Sequence, residues 1–224
     1  MNKRLLVNSF FLATSLLCIA APSFAEPQNL DLLKIEIQRY HDTGAYDKDV
    51  VQVVKQAETY MNAQVAANKK SSKPAKLALV LDIDETTLSN YDGIIKRQFC
   101  ADQQRINHDI NQAKAPAIAP MLTLYEDAKK QGVAIFFVTG RRPKFQRATE
   151  SNLKQAGYIN WHGLYFRPKQ DKNLSVIPYK TQVRSSITQQ GYTIIASIGD
   201  QTSDLTGGYA EKTFKLPNPY YYLP

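Results

Sequence analysis

Two rhythms of apolar residues divide the chain. Leu77-Ala-Leu-Val-Leu81 and Val133-Ala-Ile-Phe-Phe-Val138 are unbroken apolar runs of strand length, the pattern of strands covered on both faces in the middle of a parallel sheet. Thr193 to Ile198 reads as a third strand and Gly163-Leu-Tyr-Phe166 as a short fourth. Helical spacing fills the intervals: Met121, Leu122, Tyr125 and Ala128 before Gly132; Phe145, Ala148, Leu153 and Ala156, opened by Pro143 and closed by Gly157; and a segment from Tyr179 to Gly191 with Val183 and Ile187 apolar. Strands alternating with helices predict an α/β fold, a Rossmann-like parallel sheet with helices on both faces.

Ahead of this core, Leu30, Leu33 and Ile37 share one helical face, and after Gly44 a second stripe runs through Tyr46, Val50, Val53, Val54, Ala57 and Met61. They predict N-terminal helices packed on the main body, with Asn68 to Pro74 as a polar linker, so that residues 26–74 precede a core of 75–224. The stretch of roughly thirty residues from Leu88 to Ala119 carries no clear strand, whereas a crossover between parallel strands needs only about a dozen. The excess is either a small helical cap at about 88–119 or a plain insertion.

Composition changes the picture mainly at the start. Lys3 and Arg4 precede an apolar run from Leu5 to Ala21, and Ser23-Phe24-Ala25 supplies small residues before a cleavage point, so residues 1–25 read as a secretory signal and the mature chain as periplasmic or secreted. Asn8, Ser9, Thr14 and Ser15 interrupt that run and no second span follows, which argues against a stable membrane anchor. Leu17 stands where a lipidated Cys18 would need a small residue. Cleavage after Ala25 leaves Cys100 alone, without an internal disulfide, so stability must come from a packed core. It also lowers the formal charge from +8 to +6, because Lys3 and Arg4 leave and no acid does. There is no dense Lys/Arg tract and no aromatic ladder, hence no nucleic-acid partner is expected. The pattern implies no particular oligomeric state.

The polar clusters fall at the ends of the predicted strands. Asp82-Ile-Asp84-Glu-Thr86 follows the first, where two carboxylates one residue apart can face one spot and hold a cation against a phosphate. Thr139-Gly140-Arg141-Arg142-Pro143 follows the second, putting a hydroxyl and backbone N–H groups at a helix start suited to an anion. Gly199-Asp200-Gln-Thr-Ser-Asp204-Leu205 follows the third. Lys180 sits in the first turn of a helix, against the macrodipole preference for acids there. Each cluster taken singly also reads as turn or helix-cap chemistry. His41, His108 and His162 are too few for a dinuclear imidazole site, and none stands in an Arg-His-Gly context.

Taken in order, these motifs resemble those of haloacid dehalogenase-type phosphatases. Leu88-Ser-Asn90, Tyr179-Lys180 and the closing Phe-Lys-Leu-Pro-Asn-Pro-Tyr-Tyr are similar to subfamily IIIB, the class B acid phosphatase group of bacterial exported acid phosphatases, plant acid phosphatases and vegetative storage proteins. The resemblance spans about residues 28 to 224. It implies Asp82 as nucleophile, Asp84 as general acid and base, and Thr139, Gly140 and Lys180 around the phosphoryl oxygens. It also implies Mg²⁺ on the Asp82 and Asp200 carboxylates and the Asp84 carbonyl, with Asp204 in support. The expected substrate is a small phosphate monoester, and protonation of Asp84 sets a mildly acidic optimum. A 5'-nucleotidase gripping a base with Tyr91, Phe99 and Tyr220 to Tyr222, a phosphotransferase, and a non-catalytic storage protein are the alternatives.

Overall fold

The computed structural model describes residues 26–171 and 175–223; the expected signal segment, with Cys18 and the Ala25 cleavage point, lies outside them. Two helices lead, α1 (Leu30–Asp42) and α2 (Ala45–Lys69). The core follows as β1 (Lys76–Leu81), α3 (Tyr91–Lys96), α4 (Gln103–Gln112), α5 (Ala119–Lys130), β2 (Ala134–Thr139), α6 (Gln146–Gln155), β3 (Gly163–Phe166), α7 (Ile177–Gln189), β4 (Tyr192–Gly199), α8 (Thr202–Leu205) and β5 (Lys212–Lys215). The strands form one parallel sheet in the order β3-β2-β1-β4-β5, which puts β1 at its centre.

Strand period assigns the core. Leu79 and Leu81 of β1 join Ile135 and Phe137 of β2 and Ile195 of β4 on one face, under α2 and α5. The interleaved Ala78, Val80, Phe136, Val138 and Ile194 face Tyr179, Val183 and Ile187 of α7. Burying each such Leu, Ile or Phe side chain is worth about 1.5–3 kcal/mol. In α2 the buried Tyr46, Val50, Val54, Ala57, Met61 and Val65 recur every three or four residues, as a helix with one covered face requires. α1 buries no residue and leaves Leu30, Leu32 and Ile35 exposed.

Three segments differ from the pattern read in the sequence. α2 continues through Lys69 into the stretch assigned to the linker, because the Asn68 side chain donates to Ala75 O at 3.0 Å and accepts from Ala75 N at 2.8 Å, tying the helix end to β1. The start expected at Pro143 is a 3₁₀ turn, Pro143–Phe145, and α6 proper begins at Gln146. β5 had no predicted counterpart: only Phe214 of its four residues is buried, so Lys-Thr-Phe-Lys carries almost no apolar signal at a sheet edge.

The segment after β1 leaves and returns at one place. Ser89 N donates to Pro116 O at 2.9 Å and Ile118 N to Thr87 O at 3.1 Å, closing a neck from which α3 and α4 project. Asn152 of α6 braces it, donating to Ala115 O at 2.7 Å and accepting from Ala115 N at 3.1 Å. This accounts for a buried asparagine on a face otherwise read as apolar.

Candidate active site

The carboxyl ends of β1, β2 and β4 open into a cavity of about 470 Å³. Its floor includes Asp82, Asp84, Gly140, Lys180 and Asp200, and its walls come from α3, α4 and the segment after β5. Asp82 leaves β1 with its N–H donating to Ile198 O of β4 at 3.0 Å, so the residue is still fixed by the sheet. The chain then folds into a tight loop in which Thr86, Thr87 and Leu88 N–H groups all reach back to Ile83 O and Glu85 takes a positive φ of 53°. A sheet-anchored acid followed by a closed loop gives a rigid mount for two nearby carboxyl groups.

Asp82, Asp200 and Asp204 are buried, and each offers a carboxylate oxygen within 4.8 Å of the others. The buried Lys180 ammonium donates to Asp82 Oδ1 at 2.5 Å and to Asp204 Oδ1. Burial would depress this lysine, but the charges of Asp204 and Asp82 reverse the effect and hold it protonated well above its ordinary pKa. Burial, followed by the negative charge of Asp204, pushes Asp82 well above its ordinary value despite Lys180. The same two causes raise Asp200 to about 6, against the pull of its hydrogen bonds. One ammonium is thus too little positive charge for three crowded carboxylates. Hard oxygen donors carrying surplus negative charge are the set a small divalent cation fits.

Asp84 faces elsewhere. Arg141 Nε donates to both its oxygens at 3.2 and 3.0 Å, Arg141 Nη2 donates at 2.7 Å, and Asn90 Nδ2 donates at 2.8 Å. Burial works to raise Asp84, but the Arg141 charge overrides it and holds the carboxyl below the usual aspartate range. Asp84 therefore rests as an ionised acceptor, and its carboxylate stands outside the three-acid cluster. Thr139 ends β2 fully buried, its hydroxyl accepting from Arg141 N at 3.1 Å. It does not begin a helix: Gly140 to Arg142 intervene before the 3₁₀ turn, so the expected helix-start arrangement is replaced by a loop in which Gly140 lines the cavity.

Helix α7 grips the loop after β4 twice. One turn beyond Lys180, Arg184 is buried and donates to the carbonyls of Gly208 at 2.9 Å, Asp204 at 3.1 Å and Thr206. Lys180, in the first turn of α7 as the sequence predicts, is itself buried. Asp204 Oδ2 also accepts from Gln201 N at 2.8 Å in a capping box on α8. Gly199 is required here, since a Cβ would lie 2.2 Å from Asp204 Cβ.

Motif reasoning left four contributors without roles. Arg141 stands in the cluster after β2, and Asn90 and Asn218 in the stretches that carry the family resemblance, but only the fold reveals what each touches. Glu85 reads as a spacer, yet it is buried, accepts from Tyr221 OH at 2.5 Å and Asn90 N at 2.7 Å, and rises to about 8 through burial and the charges of Asp84 and Asp200. Of the aromatics considered for gripping a base, Phe99, Tyr220, Tyr221 and Tyr222 line the cavity. Tyr91 does not; it stacks on His41 and donates to Asp42 at 2.9 Å, joining α3 to α1. His162 lies toward the other end of β2, accepting from Ile135 N at 3.1 Å.

A five-stranded parallel sheet with acids gathered at adjacent strand ends defines a Rossmann-like α/β protein with a polar site at the sheet's carboxyl edge. The chain belongs to the HAD superfamily, subfamily IIIB (Acid phosphatase), whose sequence pattern matches residues 15–224. It is 38% identical over 154 residues to the stem 28 kDa glycoprotein of Glycine max, covering 66% of this chain and 61% of that one. It is 34% identical over 148 residues to acid phosphatase 1 of Solanum lycopersicum, covering 64% and 58% respectively. The matched regions thus span about six tenths of these relatives' length. Among solved structures, the class C acid phosphatase from Bacillus anthracis superposes with a TM-score of 0.70 at 22% identity over 86% of both chains, a likeness of fold.

Proposed function

We propose that this chain is an exported, Mg²⁺-dependent acid phosphatase that hydrolyses small phosphate monoesters through an aspartyl-phosphate on Asp82. The gathering of Asp82, Asp200 and Asp204 around Lys180 at the sheet's carboxyl edge carries this reading. The Asp82 and Asp200 carboxylates and the Asp84 carbonyl would hold Mg²⁺, which would supply positive charge against the phosphoryl oxygens. Lys180, Thr139 and the Gly140 N–H bind those oxygens, and an Asp82 oxygen attacks phosphorus in line. The bond to the leaving alkoxide breaks as Asp84 hands it a proton. Asp84, now ionised, takes a proton from water, which attacks the acyl phosphate, releases phosphate and restores Asp82. Because Arg141 favours ionised Asp84, the first step draws on proton uptake encouraged by the incoming phosphate's own negative charge. That requirement supports a mildly acidic optimum.

The signal-like pattern of residues 1–25 supports export to the periplasm or beyond. The aromatic wall of Phe99 and Tyr220 to Tyr222 supports a second reading on the same chemistry, a 5'-nucleotidase. Asp82 and Lys180, both present, weigh against a purely storage role.

Phosphate release from an aryl phosphate by the mature protein, with Mg²⁺ and with chelator, tests the proposal. Asp82→Asn should fold normally and lose turnover; near-normal activity in that variant would sink it. A wild type inert with Mg²⁺ would favour the storage reading. Rates on nucleoside monophosphates, and transfer to added alcohol, separate nucleotidase and phosphotransferase from broad phosphatase.

A further inference from the structure

Asp200 is held by two donors from the strand-end motifs and one from outside them. Its Oδ1 accepts from the Thr86 hydroxyl at 2.9 Å, and its Oδ2 accepts from Gln201 Nε2 at 2.6 Å and Asn218 Nδ2 at 2.7 Å. Asn218 lies beyond β5, and its amide has only one workable orientation. Its Oδ1 accepts from Tyr220 N at 2.8 Å and Tyr221 N at 3.4 Å, so the nitrogen must face Asp200. The segment carrying it is pinned elsewhere too: the Tyr220 ring packs against Tyr46 and Tyr91, Tyr221 OH reaches Glu85, and Leu223 N donates to Gln201 Oε1 at 3.0 Å.

We infer that Asn218 is a positioning residue for the divalent-cation site, holding the Asp200 carboxylate toward the place it shares with Asp82. The inference rests on the cation reading proposed above. A carboxylate with like charges within 4.8 Å turns away unless it is tethered. The tether must also leave its charge intact. Lys180 brings a counter-charge to what it holds, whereas Asn218, Gln201 and Thr86 are uncharged donors that fix Asp200 without cancelling the charge a cation would meet. Such outer hydrogen bonds orient ligands and typically contribute about 10–100-fold to metal affinity.

Isothermal titration of the metal-free full chain with MgCl₂, without substrate, tests the assignment, and melting temperature in chelator monitors folding. Asn218→Ala should weaken Mg²⁺ binding about tenfold or more. Asn218→Ser keeps an oxygen acceptor for the turn but is too short to reach Asp200, so it should weaken binding equally. Wild-type affinity in either variant overturns the role of Asn218. Should the alanine variant fail to fold, the serine variant decides. A wild type that takes up no Mg²⁺ overturns instead the cation reading beneath it.

Discussion

Replacing Arg141 by methionine isolates the group that keeps Asp84 ionised. The arginine side chain is 2% exposed and the Asp84 side chain 28%, so methionine fills most of the volume while Asp84 is left largely shielded and without its cation. Removing one partner of a buried ion pair costs about 3–5 kcal/mol. Partial access of Asp84 to water and its remaining bond from Asn90 favour the lower end, about 3 kcal/mol near neutral pH. In the wild type, the depressed carboxyl contributes stability that is fully present above its ordinary pKa of 3.8 and lost as pH falls through the lower folded value. In the variant, only the Asn90 hydrogen bond and the Lys180 charge still oppose burial, so the same carboxyl rises and takes up a proton where the wild type does not. Each unit by which the variant's Asp84 pKa exceeds the buffer pH removes about 1.4 kcal/mol of the penalty. Urea unfolding of both proteins at about pH 8 and about pH 5, in chelator, reads the difference. The variant should lose about 3 kcal/mol at the higher pH and distinctly less at the lower. Arg141→Lys, which keeps the charge but not the fork, should fall between. A loss below about 1 kcal/mol at pH 8, or one equal at both pH values, refutes the reasoning.

Glu85→Gln probes the opposite case. Burial raises Glu85 from 4.5 to about 8, so its contribution to stability is present below the ordinary value and lost as pH rises through the folded one. Melting temperatures of metal-free wild type should fall relative to the glutamine variant as pH goes from about 5 to about 8, and parallel curves would contradict this. Gly199→Ala drives a methyl into the Asp204 side chain, which must move with its Lys180 contact. Urea unfolding should register a loss of about 1–3 kcal/mol, the usual cost of overpacking, and a crystal structure should show Asp204 displaced. An unchanged Asp204 would count against the tight seat described for it.

The legible parts of the fold were those where burial shows in residue type. β1 and β2 lie in the middle of the sheet, so both faces had to be apolar and the sequence had to be unbroken. β5 covers its core with Phe214 alone, and no local pattern marks such a strand. Thr149 and Asn152 hid the buried face of α6 because they serve as hydrogen-bond partners, Thr149 accepting from Arg141 at 3.1 Å. The gathered Asp82, Lys180, Asp200 and Asp204 could be anticipated because acids or a misplaced lysine stood at strand and helix ends. Arg141, Glu85 and Asn218 could not, since their meaning lies in partners as far as 136 positions away.

The paired neck at Thr87–Ser89 and Pro116–Ile118 gives the projecting segment a closed stem, with α3 tied back to the body through Tyr91 and α4 standing further out on the cavity wall. A loop whose two ends are already joined can be lengthened, shortened or exchanged at small entropic penalty. Exchanging α4 and the turn before it, with Asn90 and Tyr91 kept, is therefore the way to reshape that wall while the hydrogen bonds on Asp84 and Glu85 stay in place.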